Sequence, residues 1–204
     1  MSTRWLLCTL IAVGSLGFLA GVGFSDDAPP SEAEMMKIMK EYATPGKPHK
    51  LLAAMVGDWD AASTSYMNPE KPEVTKGSAT NKMALDGRYL HASFSGTWSG
   101  MPHKGEGFMG FDNHLKRYQN VWVDNFGTGM MLSQGEGGED GTSINLSYVW
   151  DGPMGKMPGR MRYTITGKDS HKLEAWHSMG GKEMKSMEIV FTRKQKAAAT
   201  DCPK

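Results

Sequence analysis

The sequence predicts an all-β protein, an antiparallel up-and-down barrel of about ten strands with a short N-terminal helical segment. Three observations carry that expectation. From Asp58 to Arg193 apolar residues recur at every second position, the period of a strand with one buried face. The alternating segments are punctuated by Asn68-Pro69, Asp86-Gly87, Asp112-Asn113, Glu139-Asp140-Gly141, Asp151-Gly152-Pro153 and Gly180-Gly181, all of which favour chain reversal. No interval between strands has room for a crossover helix, so neighbouring strands join as antiparallel hairpins. A meander this long must curl, and closure removes its edges. Such a barrel is wide enough to leave an interior cavity. A two-sheet sandwich is the alternative arrangement of the same strands.

The elements follow in order. Residues 1–25 read as a secretory signal peptide. Arg4 supplies a positive start, Trp5 to Phe24 is an apolar run, and Gly21, Gly23 and Ser25 offer cleavage sites before Asp26 and Asp27. A run of about 20 apolar residues also suffices to span a bilayer, so a retained anchor is the alternative. The expected location is periplasmic or extracellular, with no membrane attachment after cleavage. Cys8 leaves with the signal. Cys202 then stands alone in a polar tail, residues 195–204, expected to be disordered, so the mature chain has no intramolecular disulfide. An exported chain without one relies on its core. The formal net charge of +1 and the lack of a basic stripe argue against nucleic acid as a partner.

Residues 26–48 form a linker and helix. Ser31 and Glu34 have capping-box spacing, and Met35, Met39 and Tyr42 recur at helical spacing, so they would cover one apolar patch. Thr44 to Pro48 breaks that helix, and Leu51 to Val56 makes a second short turn that ends at Gly57. The barrel domain spans 49–194. Its strands are predicted over 58–66, 73–85, 88–98, 105–111, 116–125, 129–136, 142–150, 160–167, 171–179 and 182–193. Asp86-Gly87 and Gly180-Gly181 read as two-residue hairpins. Most strands have one apolar face, as in Leu90, Ala92, Phe94, Gly96 and Trp98. Strand 116–125 differs. Its row Tyr118, Asn120, Trp122 and Asp124 mixes rings with an amide and a carboxylate, while Val121 and Val123 are apolar on the other side. Both its faces are expected to be covered, one by a packed helix.

Gly57-Asp58-Trp59 at the first strand resembles the Gly-x-Trp signature of lipocalin-like (calycin) barrels. That resemblance implies that Trp59 plugs the closed end and that an Arg of the last strand packs across it. Arg193 lies on the row of Met187, Ile189 and Phe191, and a cation–π contact with Trp59 would partner its guanidinium. The chain is also identified as similar to an uncharacterised bacterial family, the domain of unknown function 1579 group. The matching pieces are His49-x-x-Leu52, Val56-Gly57-Asp58-Trp59, Gly87-Arg88-Tyr89-Leu90, Gly110-Phe111-Asp112-Asn113, Tyr118-x-x-x-Trp122-x-Asp124 and Lys182-Glu183-x-Lys185-x-Met187-Glu188. They run in order over 49–193, with Phe111 where the family tends to have Tyr. This resemblance implies a barrel and supplies no catalytic residue.

The expected function is binding of a small hydrophobic or amphipathic molecule inside the barrel. Dispersed tryptophans suit an aromatic-walled pocket, and Trp122, Asp124, Arg88 and His91 are the candidate ligand contacts. No metal site and no obligatory cofactor is expected. A strand histidine facing the cavity, His91 or His177, would suit haem iron. Met154, Met157 and Met161 with Met130-Met131 would suit copper. Core filling explains these methionines as well. His103, His114 and His171 fall at turns and are expected to be solvated. Two further readings stand beside binding. One is an enzyme that uses Asp124 with His91 or His177 as an acid–base pair. The other is an envelope-associated interaction protein that makes contact through helix 31–42.

Overall fold

Ten antiparallel strands close into a barrel in the computed structural model, which describes residues 29–153 and 155–195. The expected signal peptide with Cys8, the tail with Cys202, and Met154 lie outside the described residues. Two helices precede the barrel, α1 (Glu32–Ala43) and α2 (Lys47–Ala53). The strands are β1 (Gly57–Ser65), β2 (Glu73–Ala84), β3 (Tyr89–Trp98), β4 (Met101–Asp112), β5 (Arg117–Asp124), β6 (Met131–Gly137), β7 (Ser143–Gly152), β8 (Gly155–Gly167), β9 (Ser170–Met179) and β10 (Lys182–Arg193). Each pairs with its sequence neighbour, and β1 with β10 closes the ring, so the sandwich is not adopted.

Turn chemistry sets where the strands end. Gly180 and Gly181, with φ of 58° and 79°, join Met179 to Lys182 in the two-residue hairpin that the sequence predicts. Asp86-Gly87 does not make such a hairpin. Ala84 pairs with Tyr89, and Leu85 joins Asp86 and Gly87 at positive φ, so the loop has four residues and Arg88 belongs to it. Conversely, Ser99 and Gly100 at φ of 49° and 75° form an unpredicted two-residue turn, which starts β4 at Met101 rather than residue 105. Pro102 has no N–H to donate, and the Asn125 side chain carries the pairing with β4 on this side. Its Nδ2 donates to the Pro102 carbonyl at 2.9 Å, and its Oδ1 accepts from the Lys104 N–H at 2.7 Å. β8 likewise begins at Gly155, earlier than residue 160.

Pleat alternation divides each strand between lumen and solvent. Helix α2 closes one end of the lumen. Its Leu52 and the following Met55 pack with Leu90, Met109, Tyr118, Ile144 and Leu146. Beside them Trp59, Ala61, Ala79, Phe94, Ile189 and Phe191 form a second buried cluster. The closed half is therefore a packed core, so the expected interior cavity is not found in that half. In the opposite half the inward side chains of Trp98, Trp122, Met131, Trp150 and His177 are half-buried.

Helix α1 departs from expectation. Its capping box forms, since Ser31 and Glu34 exchange both hydrogen bonds. Its C-terminal end is held by the β4–β5 turn, where Asn113 Nδ2 donates to the carbonyls of Tyr42 and Thr44, each at 2.8 Å. Yet α1 buries none of its residues. Met35, Met39 and Tyr42 cover no patch, and Val123 on the β5 outer face stays exposed. The tether fixes one end of the helix and leaves its apolar face unpacked.

Candidate functional site

The open end of the barrel is built from the last residues of the odd strands and the first residues of the even ones. The β5 row Tyr118, Asn120, Trp122 and Asp124 points into the lumen, with its last two members at this mouth. Trp122 Nε1 donates to Asp124 Oδ2 at 3.1 Å, and Asp124 Oδ1 accepts from the Phe126 N–H at 2.9 Å. The indole and the carboxylate thus satisfy each other, and the carboxylate is fixed by the chain that follows it. Asn120 Nδ2 donates to Ser133 Oγ at 3.1 Å deeper in the lumen.

The rings lie against glycine. A Cβ added at Gly105 or Gly107 would strike the Trp122 ring, one at Gly159 the Tyr148 ring, and one at Gly152 the Trp150 ring. These glycines have no side chain to hold the rings away from the wall. A glycine in a strand marks a place where another group approaches the backbone closely, and here that group is an aromatic ring, which leaves Trp122 and Trp150 half-buried at the mouth. Among the described residues, four polar atoms of the lumen lack hydrogen-bond partners, His103 Nε2 and Ser63 Oγ toward the mouth and Asn81 Oδ1 and His171 Nδ1 in the closed half. Buried polar atoms are ordinarily paired with protein or water. Burial pushes the Tyr148 hydroxyl up to about 12 and lowers the His177 pKa, so both favour their neutral forms.

The four candidate ligand contacts do not converge. Trp122 and Asp124 meet at the mouth. Arg88 lies in the β2–β3 loop at the closed end, where its NH1 donates to the Leu85 carbonyl at 3.0 Å. His91 points outward, stacks on Phe108 at 4.6 Å and approaches Glu106 at 3.2 Å. It is one residue out of phase with Leu90 and Phe94, which face the lumen, so it reaches neither the cavity nor an interior haem. The histidine beside Asp124 is His103, with Nε2 to Oδ2 at 3.7 Å and 17% of its side chain exposed. Its ring sits between Phe94 and Phe126, with centroids at 5.4 and 5.1 Å. The sequence reading put His103 in a solvated turn because it began β4 four residues late. The signal was present in the alternation His103, Gly105, Gly107, Met109 and Phe111. His171, also read as solvated, is buried.

The other sequence-derived pair, Trp59 and Arg193, lies at the closed end. The Arg193 guanidinium carbon is 4.2 Å from the Trp59 ring centroid. Its NH1 donates to the Val56 carbonyl at 2.9 Å and its Nε to Asp169 at 3.0 Å, while Trp59 Nε1 donates to the Met55 carbonyl at 3.0 Å. Among the described residues no group of three or more His, Cys, Asp or Glu side chains is placed to hold a metal ion. Among the described methionines, Met161 is in the packed core and Met130 is solvent-exposed, so those two do not share a site.

The profile of a family described as protein of unknown function (DUF1579) matches residues 44–193. No curated protein matches the chain. Among solved structures, Rv2717c from M. tuberculosis superposes with a TM-score of 0.57 at 14% identity, covering 74% of this chain and 100% of that one. The S-type phycobiliprotein lyase CPES from Guillardia theta superposes with a TM-score of 0.52 at 10% identity, covering 82% of this chain and 100% of that one. At such identities the likeness is one of fold.

Proposed function

The chain belongs to the DUF1579 family of proteins of unknown function, and from its geometry we propose that it is an exported barrel that binds a small hydrophobic or amphipathic molecule in its open half. One observation carries the reading. The tryptophans of the mouth rest on glycine walls around a lumen that is packed at one end and half-exposed at the other. Ligand pockets are mostly apolar concavities with a few placed polar groups, and here those groups are the Asp124 carboxylate, the unpaired His103 Nε2 and the Ser63 hydroxyl. The pocket suits a planar apolar body carrying a hydrogen-bonding edge.

Native mass spectrometry of protein recovered from its source tests this directly. A copurified small molecule is expected, and Trp122→Ala with Trp150→Ala should abolish it. Protein without a bound molecule, or a molecule retained by that double variant, would overturn the reading. Export is tested by the mature N-terminus, expected between Ala20 and Ala28. The acid–base alternative has one observation in its favour, the unpaired His103 nitrogen beside Asp124. Both Asp124 oxygens already accept hydrogen bonds, from the Trp122 indole and the Phe126 amide, so the carboxylate is better placed to hold Trp122 than to move a proton.

A further inference from the structure

The outer wall of the barrel carries an apolar row that the fold does not cover. Phe108 pairs across strands with Val121, and Val121 with Leu132; the β6–β7 register places Val149 beside Leu132. All four point outward. Phe108, Leu132 and Val149 are 46%, 67% and 56% exposed. Facing this row across a groove of about 1280 Å³ stand Met39 and Tyr42 of α1. At 3.6 residues per turn Met35, Ile38, Met39 and Tyr42 fall on one side of that helix, and each is about half exposed. Each chain therefore presents two unpartnered apolar surfaces, a helix face and a strand-crossing row. Monomeric soluble proteins rarely expose such contiguous surface, and a helix of this length is marginal unless its apolar face is packed.

We infer that a second copy of this chain covers both surfaces. In a two-fold dimer, α1 of each protomer lies on the Phe108–Val149 row of its partner, so one contact, made twice, buries all four surfaces. Two features favour a copy of this chain over lipid. The polar rim is of mixed sign, with Lys37, Lys40 and Glu41 on the helix and Arg88, Asp112, Arg117 and Glu136 around the groove. A bilayer or an anionic amphiphile calls for basic groups without interspersed carboxylates, whereas an apolar centre with a mixed rim is the anatomy of a protein interface. The lengths also agree. Twelve helical residues extend about 18 Å, and four strands spaced about 4.8 Å apart place the outer members of the row about 14 Å apart.

Sedimentation velocity on protein expressed from the full-length sequence tests the inference. A dimer is expected at micromolar concentrations. Met39→Lys and Leu132→Glu, each at an exposed position that the barrel does not need, should each weaken the dimer at least about 30-fold, since each puts a charge at the apolar centre of the contact, where hot-spot side chains contribute that much. The double variant M39K/L132E, which sets opposite charges against each other across both contacts, should recover most of the lost affinity. Far-UV circular dichroism checks that every variant keeps its barrel. A parent chain that stays monomeric up to about 100 μM would overturn the inference, whether or not it binds anionic vesicles. So would single variants that dimerise as the parent does, or a double variant no better than either single.

Discussion

Acid should loosen this barrel through His171. Its imidazole is 3% exposed in the closed half. It stacks on Phe191 at 4.4 Å and meets the Trp59 ring edge-on at 4.4 Å, and its Nδ1 has no hydrogen-bond partner among the described residues. Burial first, and then the nearby Arg193 charge, hold its pKa down at about 4, against an ordinary histidine value near 6.5. Between those two values the unfolded chain binds a proton that the native chain does not. The group's contribution to stability is therefore complete above about pH 6.5, falls as pH drops through about 4, and changes no further well below that. A gap of about 2.5 pH units at about 1.4 kcal/mol each gives a loss of about 3.5 kcal/mol at most, of which about 3 kcal/mol is reached at pH 4. Urea unfolding followed by far-UV circular dichroism at pH 7, 5.5 and 4 measures the parent against His171→Leu, which removes the titrating group and keeps an apolar side chain. His49 and His177, whose pKa values burial also lowers, titrate in both proteins and cancel from the difference. The variant should lose about 3 kcal/mol less than the parent between pH 7 and pH 4. Parallel pH profiles, or an imidazole resonance of His171 that titrates near 6.5, would refute the argument.

Three other perturbations have definite outcomes. Arg193→Leu removes the guanidinium from the Trp59 ring and leaves the Val56 carbonyl without its donor, so chemical denaturation should show a loss of about 2 kcal/mol, and the His171 pKa should rise as the Arg193 charge disappears. Gly105→Ala drives a methyl group into the Trp122 ring; urea titration should show a loss of about 1–3 kcal/mol, and the Trp122 indole resonance should shift as its hydrogen bond to Asp124 breaks. Asn113→Ala frees the Tyr42 and Thr44 carbonyls, so amide exchange over residues 32–44 should accelerate while the thermal midpoint of the barrel moves little.

What the sequence disclosed depended on how local the cause was. The Ser31–Glu34 capping box and the Gly180-Gly181 turn are each fixed by residues a few positions apart, and both formed as read. The ring of ten strands followed from period two and the absence of crossover segments, because those conditions leave few topologies. Ser99-Gly100 was missed because Ser is an uncommon partner for Gly in a turn that needs two positive φ values, and that one omission displaced His103 from the lumen to a loop. His91 and Arg88 failed for a geometric reason. A shift of one residue reverses the face of a strand, and a four-residue loop in place of a two-residue one moved Arg88 out of its strand. The exposure of α1 was not legible at all, because helical spacing shows that a helix has an apolar side and says nothing of what covers it.

The mixed β5 row can now be read by position along the strand. Tyr118 lies in the packed core near α2, where its hydroxyl donates to the Pro48 carbonyl at 3.2 Å. Asn120 meets Ser133 at mid-lumen, and Trp122 and Asp124 meet at the mouth. The row thus begins at a ring in the packed core and ends at a carboxylate at the mouth, where the Trp122 indole and both Asp124 oxygens are each engaged by a residue two positions along the chain. A core strand has no use for a carboxylate at its end, and a solvated strand has no use for a glycine bed beneath an indole. The combination of Gly105, Gly107, Trp122 and Asp124 fits a wall that must stay flat, apolar and oriented while one face remains open. Under the proposed function that requirement would come from a molecule that enters the mouth, since a barrel sealed by its own side chains would be served as well by branched aliphatic residues at all four positions.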